Sequence, residues 1–162
     1  SDLIAGTYVE LTSKITVCCA TDGNHGRSVA WGAQKFGCNC EIYNHRNVSI
    51  GREKAIARYG AEVNRIEGNY DDSVRIAAEV AEENSYYVVS DTSYEGYTDI
   101  PKDVMQGYTV MVDETIKQMK ETPTHVFLQG GVGGFPAAAV SFFVESLDCP
   151  PIFVVVEPAN AD

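Results

Sequence analysis

Residues 15–37 read ITVCCATDGNHGRSVAWGAQKFG, and this stretch decides the fold. Its first six residues are apolar and rich in β-branched and thiol side chains, which is typical of a buried strand. A turn with two glycines follows, and the remaining residues predict a helix that runs through Phe36 and is ended by Gly37. The stretch therefore predicts one strand–turn–helix unit.

The same alternation continues along the chain. Apolar runs predict strands, and residues with helical spacing separate most of them. Alternating strands and helices form parallel sheets covered on both faces, with right-handed crossovers. The sequence predicts an α/β protein, a three-layer αβα sandwich with a mostly parallel sheet, whose six strands lie at residues 15–20, 40–43, 62–66, 86–90, 125–129 and 152–156.

Helix ends are predicted from capping residues. Ser49 is expected to be an N-cap, Gly60 a C-terminal stop and Asp71 the N-cap of the following helix. Pro101 stands where the first turn of a helix tolerates proline.

The segment DTSYEGYTDIP at residues 91–101 interrupts the alternation of strands and helices. Long polar connections of this kind often carry function, and this one can also mark the passage into a second subdomain. We expect residues 1–100 to form a small αβα domain. We expect residues 101–162 to form a crossover helix and part of a larger domain, with the last two strands in a separate sheet.

Composition excludes several classes of protein. The 162 residues are 44% hydrophobic with a net charge of −11, which is unsuited to nucleic acid, and no apolar run is long enough to cross a bilayer. Cys18 and Cys19 are neighbours in a strand, so they are expected to be reduced core residues on opposite faces. Cys38 and Cys40 lack a second pair at zinc spacing, so no metal site is expected. With no leader sequence at the N-terminus, we expect a cytoplasmic protein.

A glycine-rich loop follows the fifth predicted strand. Four glycines in five residues allow backbone amides to converge on a phosphate at the positive end of a helix. The alternatives are a flexible turn with close helix packing, or a dinucleotide-binding loop in which Glu157 contacts a ribose. The dinucleotide pattern fits poorly because Pro136 occupies its third glycine position. The loop consists of Gly130, Gly131, Val132, Gly133 and Gly134.

The TDGNHG turn after the first strand is the second candidate site. Asp22 or Asn24 can simply cap the helix that follows. In open α/β sheets, however, ligands bind where strands end. We therefore expect this turn and the glycine loop to reach the same edge of the molecule, one offering amides to a phosphate and the other a carboxylate and an amide to an organic group.

The motifs ATDGNHGRSVAWGAQKFG, DTSYEGY and QGGVGG, in this order, resemble the diaminopropionate ammonia-lyase family. These are fold-type II pyridoxal-phosphate enzymes, related to tryptophan synthase β and threonine deaminase. The resemblance implies α,β-elimination of 2,3-diaminopropionate to pyruvate and ammonia with pyridoxal 5′-phosphate as cofactor, in a homodimer acting on a small amino acid.

The resemblance also implies roles for individual residues. Asn24 would hydrogen-bond the 3-hydroxyl oxygen of the cofactor, and the glycine loop would hold its phosphate. Asp22 and Asp91 would be acid–base groups for the two enantiomers of the substrate, while Thr21 and His25 would contact the substrate.

The chain departs from that family in one respect: none of its six lysines stands in the position of the lysine that holds the cofactor. Lys14 opens the first strand, roughly 20 Å from its far end at about 3.3 Å per residue. We expect the family's lysine to precede Ser1, and the chain alone to be inactive. A serine or threonine dehydratase, or a non-catalytic binding or assembly fragment, remain as alternatives.

Overall fold

A computed structural model describes residues 2–159. The chain forms two compact units, and the boundary between them along the sequence falls between Ser90 and Asp91. The predicted bounds of the third, fifth and sixth strands are confirmed. The elements in chain order are α1 Val9–Thr12, β1 Thr16–Ala20, α2 Asn24–Phe36, β2 Asn39–His45, α3 Ile50–Ala57, β3 Glu62–Ile66, α4 Tyr70–Asn84, β4 Tyr87–Val88, α5 Asp99–Gln118, β5 His125–Gln129, α6 Gly134–Ser146 and β6 Ile152–Val156.

The first unit is a parallel four-stranded sheet in the order β3-β2-β1-β4. Cys19 packs in a core with residues of α2 and α3, whereas Cys18 packs in a second core with residues of α4. Because successive side chains of a strand point to opposite faces, helices cover both sides of the sheet. The αβα sandwich and the placement of the two thiols are confirmed.

The second unit contains a separate parallel sheet of two strands, β5 and β6. Val112 of α5, Leu128 of β5 and Phe143 of α6 form its core. The expectation that the last two strands lie in a different sheet is confirmed. The compact units divide ten residues before the expected boundary at residue 100, and the assignment of residues 1–100 and 101–162 to a small and a larger domain stays a prediction.

Some predicted helix ends are confirmed and others are wrong. Ser49 caps α3 by accepting a hydrogen bond from the Arg52 amide, Gly37 ends α2 in the left-handed region, and Pro101 is in the first turn of α5. The prediction of Asp71 as N-cap is wrong, because Asn69 and Asp72 form a reciprocal capping box around it. Helix α3 ends at Ala57, before Gly60.

Strand β4 is shorter than predicted. Only Tyr87 and Val88 pair, and they pair with β1 alone, so β4 is an edge strand of the first sheet. Throughout residues 2–159, no helix combines the length and the apolar character needed to cross a bilayer.

Candidate functional site

The topology of the first sheet predicts a ligand-binding position at the carboxyl ends of β1 and β4. The chain passes from β1 to β2 through α2 on one face, and from β3 to β4 through α4 on the other. Neighbouring strands whose crossovers leave in opposite directions form a switch point, where open α/β sheets bind ligands. The TDGNHG turn follows β1 directly at this point.

Thr21 organises the TDGNHG turn from inside. Its buried hydroxyl oxygen accepts hydrogen bonds from the amides of Gly23 and Gly26, each at 3.1 Å. A Cβ atom at Gly26 would overlap the Thr21 methyl group, so only glycine allows this close approach. Thr21 therefore stabilises the conformation of the turn. Its predicted contact with the substrate stays a prediction.

The turn leaves the side chains of Asp22 and Asn24 outside the helix-capping arrangement. Gly23 is the N-cap of α2, and neither Asp22 nor Asn24 is recorded with a capping hydrogen bond. The alternative in which Asp22 or Asn24 caps α2 is thus wrong. Both side chains are exposed, and Asn24 borders an adjoining surface cavity of about 390 Å³.

Strand β2 holds the Thr21–Asp22 segment at several points. The Thr21 amide donates to the Tyr43 carbonyl at 3.1 Å, and the buried Asn44 side-chain amide donates to the Thr21 carbonyl. His45 Nε2 lies 3.0 Å from Asp22 Oδ1. Sequence reasoning missed Asn44 and His45, and the only signal was their position at the carboxyl end of the strand that follows α2.

His25 connects the turn with β4. Its Nε2 lies 2.6 Å from the Val89 carbonyl oxygen. Because a carbonyl only accepts hydrogen bonds, Nε2 carries the proton and donates it. His25 therefore ties the start of α2 to the end of β4, and its predicted contact with substrate stays a prediction.

The glycine loop of the second unit has the geometry of an anion cradle. Gly131 and Gly133 have φ angles of 55° and 88°, in the left-handed region, with open space where a side chain would stand. Within residues 2–159, the amides of Gly131 and Val132 donate to no backbone carbonyl. Gly133 is the N-cap of the 13-residue α6, so the loop stands at the positive end of a helix dipole.

Gly130 differs from the other glycines of the loop. Its amide donates to the Val156 carbonyl at 3.2 Å, and a Cβ atom there would overlap the Glu157 side chain. Gly130, Gly131 and Gly133 line one side of a cavity of about 500 Å³. The amides of Gly131 and Val132, the start of α6 and the adjoining cavity together fit a phosphate group with an organic group attached.

Asp91 lies near the same loop, within the second unit. Its carbonyl oxygen would be 3.7 Å from a Cβ atom built on Gly134. Burial, and secondly the charge of Asp91, raises the pKa of Tyr108 on α5. Farther along the DTSYEGY segment, Tyr94 and Tyr97 stack with ring centroids 4.9 Å apart and close a tight loop.

The structure therefore groups the predicted site residues in two sets. One set belongs to the first unit and the other to the second, and each surrounds a turn that follows a parallel strand. Lys14 precedes β1 and is separated from the turn by the whole strand, in agreement with its exclusion. The sets are Thr21, Asp22, Asn24 and His25, and Asp91 with Gly130, Gly131, Val132, Gly133 and Gly134.

Comparisons with known proteins agree with this geometry. The family model described as "Pyridoxal-phosphate dependent enzyme" matches residues 2–162. Diaminopropionate ammonia-lyase from Escherichia coli (strain K12) is 43% identical over 153 residues, which cover 92% of this chain and 38% of that protein. A crystal structure of Escherichia coli diaminopropionate ammonia lyase in complex with D-serine superposes with a TM-score of 0.89 at 40% identity, over 96% of this chain and 42% of that one.

A more distant relative has a different reaction in its name. Threonine dehydratase 1 from Solanum lycopersicum, described as biosynthetic and chloroplastic, is 29% identical over 90% of this chain and 23% of its own length. The chain thus spans about two fifths of the Escherichia coli lyase and less than a quarter of the tomato dehydratase.

Proposed function

Because the chain belongs to the pyridoxal-phosphate dependent enzyme family, whose members use pyridoxal 5′-phosphate, we propose that it is part of a diaminopropionate ammonia-lyase. The complete protein would carry out α,β-elimination of 2,3-diaminopropionate to pyruvate and ammonia. The similarity to the Escherichia coli lyase over 92% of the chain supports this substrate.

The chain's own residues fit the cofactor. The amides of Gly131 and Val132 and the start of α6 would bind its phosphate, and the side-chain amide of Asn24 would hydrogen-bond its 3-hydroxyl oxygen. The cofactor supplies an electron sink when the α-proton of the substrate is removed. The protein therefore has to hold the ring, exclude water and accept that proton.

Asp22 and Asp91 are the groups proposed to move protons, each for one enantiomer of the substrate. The observation that carries this assignment is that Asp22 follows β1 at the switch point without capping α2, so its carboxylate is available to a ligand. Asp91 stands beside the end of the glycine loop. One carboxylate for each enantiomer would allow both enantiomers to be processed.

The test is the turnover of D- and L-diaminopropionate by the complete protein with pyridoxal 5′-phosphate. Asp22→Asn and Asp91→Asn should each lower kcat for one enantiomer by a factor of about 100 or more, because general acid–base groups contribute at least that much. Asp99→Asn is the control, since Asp99 is an exposed residue whose recorded side-chain partners within residues 2–159 are its neighbours Thr98 and Lys102 at the start of α5. Unchanged turnover of both enantiomers in both variants would refute the proposal.

A second candidate, dehydration of serine or threonine, is supported by the tomato threonine dehydratase and by the Escherichia coli complex with D-serine. Both reactions are eliminations from an amino acid, and they differ in the leaving group. A kcat/KM for serine or threonine above that for diaminopropionate would favour this candidate.

The proposal includes a homodimer in the cytoplasm that binds neither nucleic acid nor membranes, in keeping with the net charge of −11. Sedimentation of the complete protein tests the dimer. If the complete protein forms no spectroscopically detectable complex with pyridoxal 5′-phosphate, the alternative of a non-catalytic binding or assembly domain replaces the proposed enzyme.

A further inference from the structure

His45 is placed beside Asp22 by the register of the first sheet. Ala20, the last residue of β1, pairs with Tyr43 of β2. Continuing that register sets Thr21 level with Asn44 and Asp22 level with His45. The contact between His45 Nε2 and Asp22 Oδ1 at 3.0 Å is therefore built into the sheet.

The other ring nitrogen of His45 shows where its proton is. The Asn47 amide donates a hydrogen bond to His45 Nδ1 at 3.3 Å. A ring nitrogen that accepts a hydrogen bond carries no proton, so the neutral ring holds its proton on Nε2. With its proton on Nε2, His45 is placed to donate a hydrogen bond to Asp22 Oδ1, which lies 3.0 Å away.

The main chain of the turn and the side chain of Asp22 are held by different residues. Asn44 donates to the carbonyl of Thr21, and Arg52 donates to the carbonyl of Asp22 at 3.4 Å. These bonds fix the backbone and leave the carboxylate free to rotate. Among residues 2–159, only His45 is recorded as a partner of that carboxylate, and its contact is with Oδ1.

The exposure of the two side chains agrees with distinct roles. The His45 side chain is 16% exposed, whereas that of Asp22 is 56% exposed. A largely buried imidazole therefore contacts one oxygen of an accessible carboxylate. The second oxygen, Oδ2, is left to contact a ligand.

We propose that His45 is a positioning residue for Asp22: its Nε2–H group fixes Oδ1, so that Oδ2 faces the α-proton of one substrate enantiomer and accepts it. This inference rests on the proposed function for its substrate. The contact between His45 and Asp22 is independent of that function.

The first test compares His45→Leu, which removes the donor, with His45→Gln, whose side-chain amide can replace Nε2–H. In the complete protein with pyridoxal 5′-phosphate, His45→Leu should lower kcat about 10- to 100-fold for the enantiomer that depends on Asp22, as expected for a misplaced catalytic group. KM should change much less, and the other enantiomer should be turned over as in the unchanged protein.

Two comparisons separate positioning from a general loss of structure. His45→Gln should restore most of the lost kcat, and His125→Leu should have no effect, because His125 is on β5 beside Thr124 and Phe127. Equal loss for both enantiomers, or a His45→Gln variant as impaired as His45→Leu, would overturn the proposal.

The second test does not depend on activity. Long-range ¹H–¹⁵N correlation spectra of the histidine-labelled protein, assigned with His45→Gln, should show His45 protonated on Nε2, with a shift of that resonance in Asp22→Ala. A proton on Nδ1, or no change in Asp22→Ala, would contradict the inference. If the complete protein turns over neither enantiomer, the proposed function fails, and this spectrum still decides whether His45 holds Asp22.

Discussion

The two glycine-containing turns differ in what determines their conformation. In the TDGNHG turn, side chains impose the shape: Thr21 binds two amides of the turn, and Asn44 and His45 bind the turn from β2. The glycine loop at residues 130–134 has no such side-chain bonds in the described structure, and its shape follows from left-handed backbone angles and the start of α6.

This difference corresponds to what each turn presents. A turn that presents a carboxylate has to fix a rotatable side chain, which requires further side chains around it. A loop that presents backbone amides needs only the correct backbone angles and no obstruction. Substitutions should therefore act through packing and hydrogen bonds in the first turn, and through backbone conformation in the second.

The largest expected effect is that of Gly26→Ala in the first turn. The added methyl group would overlap Thr21, and overpacking of this kind destabilises by about 2–3 kcal/mol. Gly32→Ala is the matched control, because Gly32 is in the same helix with open space around it, and alanine there should stabilise by about 0.5–1 kcal/mol. Urea unfolding measures both. Similar effects for the two variants would mean that the close approach of Gly26 to Thr21 does not constrain the turn.

Thr21→Val should have the next largest effect. Valine keeps the shape of threonine but leaves the amides of Gly23 and Gly26 without their acceptor, at a cost of about 2 kcal/mol. Thr16→Val, in the strand that precedes the turn, has no recorded side-chain bond to lose and should change stability by less than about 0.5 kcal/mol. The free energy of unfolding in urea distinguishes these outcomes. Equal values for the two variants would mean that the Thr21 hydroxyl does not stabilise the turn.

At Gly131 and Gly133, where a Cβ atom would meet open space, the second turn should be sensitive to backbone conformation. Gly133→Ala places a Cβ atom at a φ of 88°, which costs about 1–2 kcal/mol and should weaken binding of pyridoxal 5′-phosphate about tenfold. Gly134→Ala is the control, since its added Cβ would make only ordinary contacts at 3.6 and 3.7 Å. Spectroscopic titration with the cofactor measures both affinities. Equal weakening would show that the loop responds to side-chain bulk instead.

The smallest expected effect is a response of the first unit to alkaline pH. Burial, and secondly the charge of Glu41, raises the pKa of the Cys18 thiol to about 11 from 9.0. Since the folded state favours the neutral thiol, this contribution to stability is complete below pH 9 and is lost as the pH rises through 11.

Cys18→Ala should therefore flatten part of the decline in unfolding free energy between pH 9 and 11. The decline should not vanish, because burial also raises the pKa of Cys40, to about 12. Cys149→Ser is the control, since Cys149 is an exposed thiol in the second unit. Identical pH profiles for all three proteins would exclude a role for Cys18.

The fold could be predicted where the decisive signal is local. Apolar runs bounded by turn residues gave the bounds of β3, β5 and β6. The error at Asp71 arose because three acceptor side chains, Asn69, Asp71 and Asp72, compete for one helix start. Only the geometry of the reciprocal box selects Asn69.

The site could be predicted only in part, for a similar reason. The TDGNHG turn and the glycine loop are continuous in sequence, and their composition indicates what they can bind. His45 contacts Asp22 across 23 residues of chain, and that contact depends on the parallel register of β1 and β2, which alternation of apolar residues does not specify. The predicted partition of Asp22 and Asp91 between enantiomers stays a prediction.

Cys18 and Cys19 are consecutive residues, yet they belong to two different cores on either side of the sheet. A thiol reagent applied during unfolding would therefore reach Cys18 when α4 separates from the sheet, and Cys19 when α2 and α3 separate. The order in which the two thiols are labelled would reveal which helical layer detaches first. The two adjacent thiols would therefore report separately on the helical layers that cover the two faces of the sheet.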